Sequence, residues 1–194
     1  YRDQTCPVYA TETPCRTLES KGFPAGRLRR IAPGDEFELG PFLVRTWQGR
    51  HCRFDLPLVT RTLISPRALG HPARLAKLLR LNREYDENGE VLFYEMTDGT
   101  SRLQIMGSLG LDEATDYPTG ADWLILPYQG RSDLVKYALP LVERLAPKAI
   151  LLDHYDDAFP PMSSAIDTEA FEKAVSDRLG IPCRALQKYE TVEL

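Results

Sequence analysis

Hydrophobic and polar positions divide the chain into a strand-rich first part, a helical middle and a second half in which strands and helices alternate. In the first part, short apolar runs at residues 6–10, 28–31, 36–39 and 42–47 are separated by glycine and proline turns. These runs predict short strands, and the tight turns around residues 33–35 and 40–41 favour antiparallel or meander pairing. Between the first two runs, Thr13 followed by Pro14 predicts the start of a helix that ends before Gly22.

The middle of the chain has a helical periodicity. Leucines recur at positions 75, 78, 79 and 81 with arginine and lysine between them, which predicts an amphipathic helix over residues 73–85. Prolines at positions 57, 66 and 72 divide the preceding residues, so we expect a helical insertion at about residues 56–86. The basic face of this helix is either solvated or used to contact a partner.

The second half predicts parallel strands. A hairpin is expected around Asp98-Gly99, between strands at residues 91–96 and 101–106. The continuous apolar runs 122–127 and 149–153 are typical of strands buried on both faces, and a helix capped by Ser132 and ending near Leu145 separates them. A last helix from residue 167 or 168 to Leu179 precedes a final strand at residues 183–186. Strand-helix-strand units normally place their strands parallel, so the sequence predicts an α/β layered sandwich.

Composition narrows the class of protein without identifying it. The chain has 194 residues, 43% of them hydrophobic, and a formal net charge of -4, as expected for one soluble globular domain. The acidic balance makes nucleic acid an unlikely partner, and no apolar run reaches the ~20 residues that span a bilayer. Four scattered cysteines without a Cys-x-x-Cys pair predict reduced thiols and a cytoplasmic location.

Polar residues follow four of the strand-like runs. His51 follows the run at 42–47, Ser108 follows the hairpin, Gln129 follows the run at 122–127, and Asp153 and His154 end the run at 149–153. In open α/β sheets, sites form beyond the carboxyl ends of strands, so these residues are expected to converge if the ends share one edge. Imidazole there suits a divalent metal, with zinc first and manganese or iron as alternatives. We predict His51 and His154 as metal ligands and Ser108, Gln129, Asp153 and Asp156 as pocket-lining residues. Cys52 follows His51 directly, and strand alternation allows only one of the two side chains to reach the pocket.

The order of these segments resembles the metallo-β-lactamase fold superfamily, especially its cytoplasmic metal-dependent hydrolases. Six short segments carry the resemblance in sequence order: Pro7-Val8-Tyr9-Ala10, the hairpin from Gly34 to Gly40, Gly49-Arg50-His51, Ile105-Met106-Gly107-Ser108, the strand from Ala121 to Pro127, and Leu152-Asp153-His154-Tyr155-Asp156. The resemblance implies an αββα-type sandwich in which His51 and His154 hold metal.

Two departures from the family pattern alter this expectation. The family's His-x-His-x-Asp-His motif would lie upstream of the strand containing Val8, and this chain contains nothing like it. Ser108 stands where the family has a metal-bridging aspartate, and a neutral serine cannot place negative charge between two dications. The chain does not begin with Met, so we expect the C-terminal part of a longer domain, incomplete at its N-terminus, or else a degenerate member.

Three functions remain open from the sequence. The first is a hydrolase in which metal-activated water attacks an ester, amide or phosphodiester of a small-molecule substrate. The second is a metal-free binding or regulatory protein that keeps the pocket. The third is a scaffold that uses the basic helix at 73–85 to dock a partner or form a homo-oligomer.

Overall fold

A seven-stranded mixed sheet forms the centre of the structure, a computed structural model that describes residues 5–84, 89–157, 160 and 163–192. Within this part of the chain the strands are β1 (Val8–Ala10), β2 (Leu28–Arg30), β3 (Glu36–Leu39), β4 (Phe42–Gln48), β5 (Leu92–Thr97), β6 (Arg102–Met106), β7 (Trp123–Pro127), β8 (Ile150–Asp153) and β9 (Cys183–Ala185). The α-helices are α1 (Glu12–Ser20), α2 (Leu56–Leu63), α3 (Pro66–Leu69), α4 (Pro72–Glu84), α5 (Leu134–Leu145) and α6 (Glu169–Leu179).

The large sheet changes from antiparallel to parallel pairing along its width. Its order is β3-β4-β5-β6-β7-β8-β9, antiparallel from β3 to β6 and parallel from β6 to β9. The hairpin between β5 and β6 turns at Asp98, whose carboxylate accepts hydrogen bonds from the backbone N–H groups of Thr100 and Ser101 at 2.8 Å. Two antiparallel steps give β4 and β6 the same direction, so the carboxyl ends of β4, β6, β7 and β8 lie at one edge.

Helices α5 and α6 cover one face of this sheet. Leu124 and Leu126 of β7 are fully buried against Val142 and Leu145 of α5 and the side chains of α6. Phe171 of α6 is also fully buried, and it stacks on the ring of Tyr128 just beyond β7 with ring centroids 4.7 Å apart. The main core therefore lies directly behind the carboxyl edge of the parallel strands.

The second face carries a small layer of its own. Strands β1 and β2 pair with each other in parallel, and Tyr9 of β1 stacks on Phe37 of β3 with ring centroids 4.4 Å apart. Further along the same face, Leu103 and Ile105 of β6 pair with Trp123 and Ile125 of β7, and all four are only partly buried. The predicted α/β sandwich is confirmed. The expected meander of residues 28–47 is wrong at its first strand, because β2 pairs with β1 and is not part of the large sheet.

Two predicted helix caps are wrong for the same physical reason. Helix α1 begins at Glu12 with Thr11 as its N-cap, and Thr13 instead donates hydrogen bonds from its backbone N–H and its hydroxyl to Glu90. Helix α5 begins at Leu134 with Asp133 as its N-cap, and Ser132 donates to the carboxylate of Asp55. In both cases a carboxylate 77 residues away in sequence binds the expected cap.

The helical segment predicted at about residues 56–86 consists of three consecutive helices, α2, α3 and α4. Asp55 caps α2 by accepting from Leu58 N–H at 2.9 Å, and Ser65 caps α3 by accepting from Ala68 N–H at 3.1 Å. Each helix has a proline in its first turn, as the sequence favours. The amphipathic helix predicted over 73–85 is α4, and its last predicted residue lies outside the described residues. Among the described residues, no helix has the length and apolar character needed to cross a membrane.

Candidate active site

The loop after β4 packs closely against the loop after β6. Ser108 accepts a hydrogen bond from the backbone N–H of Cys52 at 3.0 Å, and Arg50 N–H donates to Gly110 O at 3.2 Å. Gly110 is buried, and a Cβ atom at its position would lie 2.6 Å from the carbonyl oxygen of Arg50. A glycine is thus needed for the loop that carries His51 to approach the end of β6.

His51 lies on the exposed side of this loop. Its Nδ1 is 2.9 Å from the carbonyl oxygen of Cys52, and its ring makes an edge contact with Phe54 at 5.8 Å between centroids. His51 lines a cavity of about 290 Å³, beside the ion pair of Arg50 and Asp112, whose atoms are 2.6 Å apart. Hydrogen bonds from Thr115 and Arg50 hold the pKa of Asp112 below its usual range.

His51 is exposed and Cys52 is buried, but strand alternation does not explain this difference, because β4 ends at Gln48 and neither residue lies on a strand. The Cys52 side chain belongs to the main core, and burial raises the pKa of its thiol to about 11. A thiol with such a pKa is almost entirely protonated at neutral pH, whereas nucleophilic and metal-ligating cysteines are thiolates. The candidate chemistry at this strand end is therefore that of His51.

His154 follows β8 in a strained backbone conformation. Its φ of 56° is in the left-handed region, and its backbone N–H donates to its neighbour Asp153 at 2.7 Å. A non-glycine residue there costs about 1–2 kcal/mol, and such strain is often stored at functional sites. Neither the cavity beside His51 nor the larger cavity described below is lined by His154.

The predicted ligands thus share an edge of the sheet without sharing a cavity. Within the described residues, no group of three or more histidine, cysteine, aspartate or glutamate side chains is arranged to hold a metal ion. Metal ligation by His51 and His154 stays a prediction.

Two of the predicted pocket-lining residues, Ser108 and Gln129, join separate loops of this edge through their side chains. Gln129 donates from its side chain to the backbone oxygens of Asp156 at 3.0 Å and Ser164 at 3.4 Å. Ser108 accepts from Cys52, and Asp153 accepts from His154. Gln129 consequently fixes the loop after β7 to the segment after β8.

A cavity of about 770 Å³ also lies at this edge, and none of the four predicted pocket-lining residues is among the residues that line it. Its floor is Tyr128, its walls come from the start of α5, from residues 163–167 and from the start of α6, and helix α2 with the first residues of α3 forms its roof. Sites for small molecules usually have volumes of about 300–1,000 Å³. The cavity is therefore large enough for a small-molecule substrate.

Helices α2 and α3 are fixed to two different strand ends. At the start of α2, Asp55 accepts from Ser132 beyond β7, with 2.9 Å to its backbone N–H and 2.7 Å to its hydroxyl. On α3, Arg67 forms an ion pair with Asp157 beyond β8 and donates to the carbonyl oxygen of Ser163 at 3.1 Å. We call α2 and α3, residues 56–69, the arch, because each end is attached beside the cavity.

Sequence reasoning marked the polar strand ends, left open whether they share one edge, and missed the cavity. Prolines at the starts of α2 and α3 are a usable signal for helix starts. The attachments, however, join residues 77 and 90 positions apart in the chain, and no local pattern predicts them.

Comparison with known proteins identifies the fold. No protein-family model matches the sequence, and no curated protein matches it. Among solved structures, it is similar to Igni18, a metallo hydrolase from Ignicoccus hospitalis, with a TM-score of 0.58 and 15% identity over 96% of this chain and 67% of that one. It is also similar to the metallo-β-lactamase fold protein YhfI from Bacillus subtilis, with a TM-score of 0.53 and 12% identity over 93% of this chain and 62% of that one. The β-hydroxylase CmlA, in a variant form, gives a TM-score of 0.55 and 9% identity over 93% of this chain and 38% of that one.

The chain spans about two thirds of the length of the first two proteins and less of the third. Identities this low establish similarity of fold, and one fold carries several chemistries. The order and direction of the strands, the two helices behind the parallel half of the sheet and these similarities agree with one another. The chain has the metallo-β-lactamase fold.

Proposed function

We propose that this chain is part of a metal-dependent hydrolase that acts on an ester, amide or phosphodiester bond of a small molecule. The observation that carries the proposal is the common edge of β4, β6, β7 and β8, where His51, Ser108, Gln129 and His154 follow four strands of a metallo-β-lactamase fold. Similarity to a metallo hydrolase supports it.

The described residues alone do not fit a two-metal centre. They place two histidines at the edge, and Ser108, at the bridging position, accepts a hydrogen bond from Cys52 N–H and carries no charge. We accordingly assign to His51 and His154 the binding of metal and no further role in the reaction.

A second candidate function is a metal-free binding protein with the same fold. The hydrogen bond at Ser108 favours it, because the serine is used to join two loops where a hydrolase needs a carboxylate. In this case the cavity under the arch holds a ligand without converting it.

Metal content separates the two functions. The protein as purified, its His51→Ala and His154→Ala variants, and a His71→Ala control would be analysed by inductively coupled plasma mass spectrometry. His71 is the remaining histidine, and it lies between α3 and α4 and does not follow a strand in the sequence. The hydrolase proposal expects zinc, manganese or iron in the parent and the control, and less metal in the other two variants.

Hydrolysis would be measured on the same four proteins with p-nitrophenyl esters, anilides and bis-p-nitrophenyl phosphate. Activity that follows metal content across the series supports a hydrolase. A parent without metal above background, with no turnover after adding zinc or manganese, refutes it and leaves the binding protein.

A further inference from the structure

We propose that the cavity under the arch binds an organic anion with an apolar body, held by Arg61 and Lys136. That this anion is a substrate rests on the hydrolase function proposed above. Binding itself requires neither metal nor turnover.

The charge of the cavity favours an anion. Its lining contains four cationic side chains and two acidic ones. Arg131 is paired with Asp133 at 2.6 Å, and Arg67 is paired with Asp157 outside the lining. Asp167, the other acidic group, accepts from the N–H of Glu169 at 3.0 Å.

Arg61 and Lys136 are the two cations left over. Neither forms a salt bridge with another described residue, although both line the cavity. They come from different elements, Arg61 from the arch and Lys136 from the first turn of α5. A bound carboxylate, phosphate or sulfonate would supply the missing partner to both, and charge-assisted hydrogen bonds are roughly twice as strong as neutral ones.

The start of helix α5 adds to this preference. Residues 133–136 all line the cavity, and Asp133 makes no side-chain cap hydrogen bond to α5. The first N–H groups of a helix have no partner within the helix, and they carry a partial positive charge of about +0.5. In this 12-residue helix those groups lie beside Lys136.

The uncharged part of the lining combines apolar side chains with five hydroxyl residues: Thr62, Ser65, Ser132, Ser163 and Ser164. Leu58 of the arch, Leu134 of α5 and Ile166 of the segment after β8 contribute aliphatic walls, and Tyr128 contributes an aromatic floor. Leu134 and Tyr128 belong to the main core, so these walls are rigid. An inorganic ion would leave this surface in contact with water, whereas an anion with an aromatic or aliphatic body would cover it.

Naphthalene-2-sulfonate is a suitable probe because it is anionic, apolar and resistant to hydrolysis. Its affinity would be measured by isothermal titration calorimetry on protein treated with EDTA, beside neutral naphthalene-2-sulfonamide and inorganic phosphate. The test variant is the double substitution Arg61→Gln and Lys136→Gln. The control is Arg74→Gln with Arg80→Gln, which removes the same charge from exposed positions on α4.

We expect the sulfonate to bind more tightly than both the sulfonamide and phosphate. The test variant should weaken it by roughly tenfold or more, the loss of two charge-assisted contacts, while the control changes its affinity less than threefold. All four substituted side chains are exposed, so both variants should keep the parent's thermal midpoint.

Three results would overturn the proposal: equal affinity for the sulfonate and the sulfonamide, equal weakening in the test and control variants, or no sulfonate binding at millimolar concentration. Phosphate binding as tightly as the sulfonate would remove the apolar part of the claim. Sulfonate binding by a protein that holds no metal and hydrolyses nothing would refute the hydrolase and leave the anion site standing.

Discussion

Replacing Gly110 with alanine tests how the loop that carries His51 is held. The new Cβ would lie 2.6 Å from the carbonyl oxygen of Arg50 and 3.3 Å from that of His51. Both contacts are to backbone, so no flexible side chain can move aside. Reaching an ordinary contact of about 3.4 Å requires the loop to shift by roughly 0.8 Å.

Gly110 does not have a positive φ, so alanine adds steric conflict without backbone strain. Overpacking of this kind costs about 1–3 kcal/mol. For a chain of this length, that corresponds to a fall in the thermal midpoint of roughly 2–12 °C. The shift also weakens the hydrogen bonds from Arg50 N–H to Gly110 and from Cys52 N–H to Ser108, which join the two strand ends.

Gly26→Ala is the matched control. Gly26 also lacks a positive φ, and a Cβ there meets no atom within 4 Å. Alanine should leave the free energy of unfolding unchanged or raise it by about 0.4–1 kcal/mol, because it lowers the conformational entropy of the unfolded chain. Urea denaturation and thermal melts of both variants, with the His51 ring signals followed by NMR, measure the difference.

A Gly110→Ala protein as stable as the Gly26→Ala protein, with unmoved His51 signals, would refute this reasoning. It would mean that the loop after β4 adjusts without cost. The position of His51 would then not depend on the end of β6.

The remaining predictions concern thiols, backbone strain and the arch. Cys6 is exposed and should be the cysteine that reacts fastest with dithionitrobenzoate. Cys52 should stay unreactive until the pH approaches about 11 or the protein unfolds. A fast reaction phase that remains in the Cys6→Ser variant would contradict this. His154→Gly should raise the free energy of unfolding by about 1 kcal/mol in urea titrations, because glycine adopts a φ of 56° without strain, while His154→Ala should give no gain. Arg67→Gln should speed amide hydrogen exchange across α3. The global thermal midpoint should change little, because the ion pair of Arg67 and Asp157 is partly exposed. Unchanged exchange would show that the arch does not depend on this pair.

The sequence predicted the framework of the site because that framework is local. Apolar runs such as 122–127 are long enough to define strands, and each strand end is marked by a polar residue or a glycine. Strand direction followed from the hairpin at Asp98-Gly99 and from the helix between β7 and β8. These features marked His51 and His154 as strand-end residues but left open whether the two ends share one edge of the sheet, which the pairing of β4 with β5 and of β5 with β6 decides.

The parts that sequence reasoning missed depend on contacts between distant residues. Thr13 and Ser132 are good helix caps by local preference, yet Glu90 and Asp55 bind them. The cavity is lined from three separate segments of the chain, so its volume and its two cations without a described salt-bridge partner appear only when the chain is folded. The distance between the two candidate ligands likewise depends on loop conformation, which periodicity does not encode.

The ion pair of Arg67 and Asp157 gives the arch a second role. It joins α3, which lines the cavity, to Asp157, three residues after His154. A ligand that holds α3 in place therefore also holds the partner of Arg67 in place. Because an exposed ion pair contributes about 0–1 kcal/mol, this linkage changes affinity by at most about fivefold, in both directions alike. The cavity and the strand end at His154 are thus weakly linked through one surface contact.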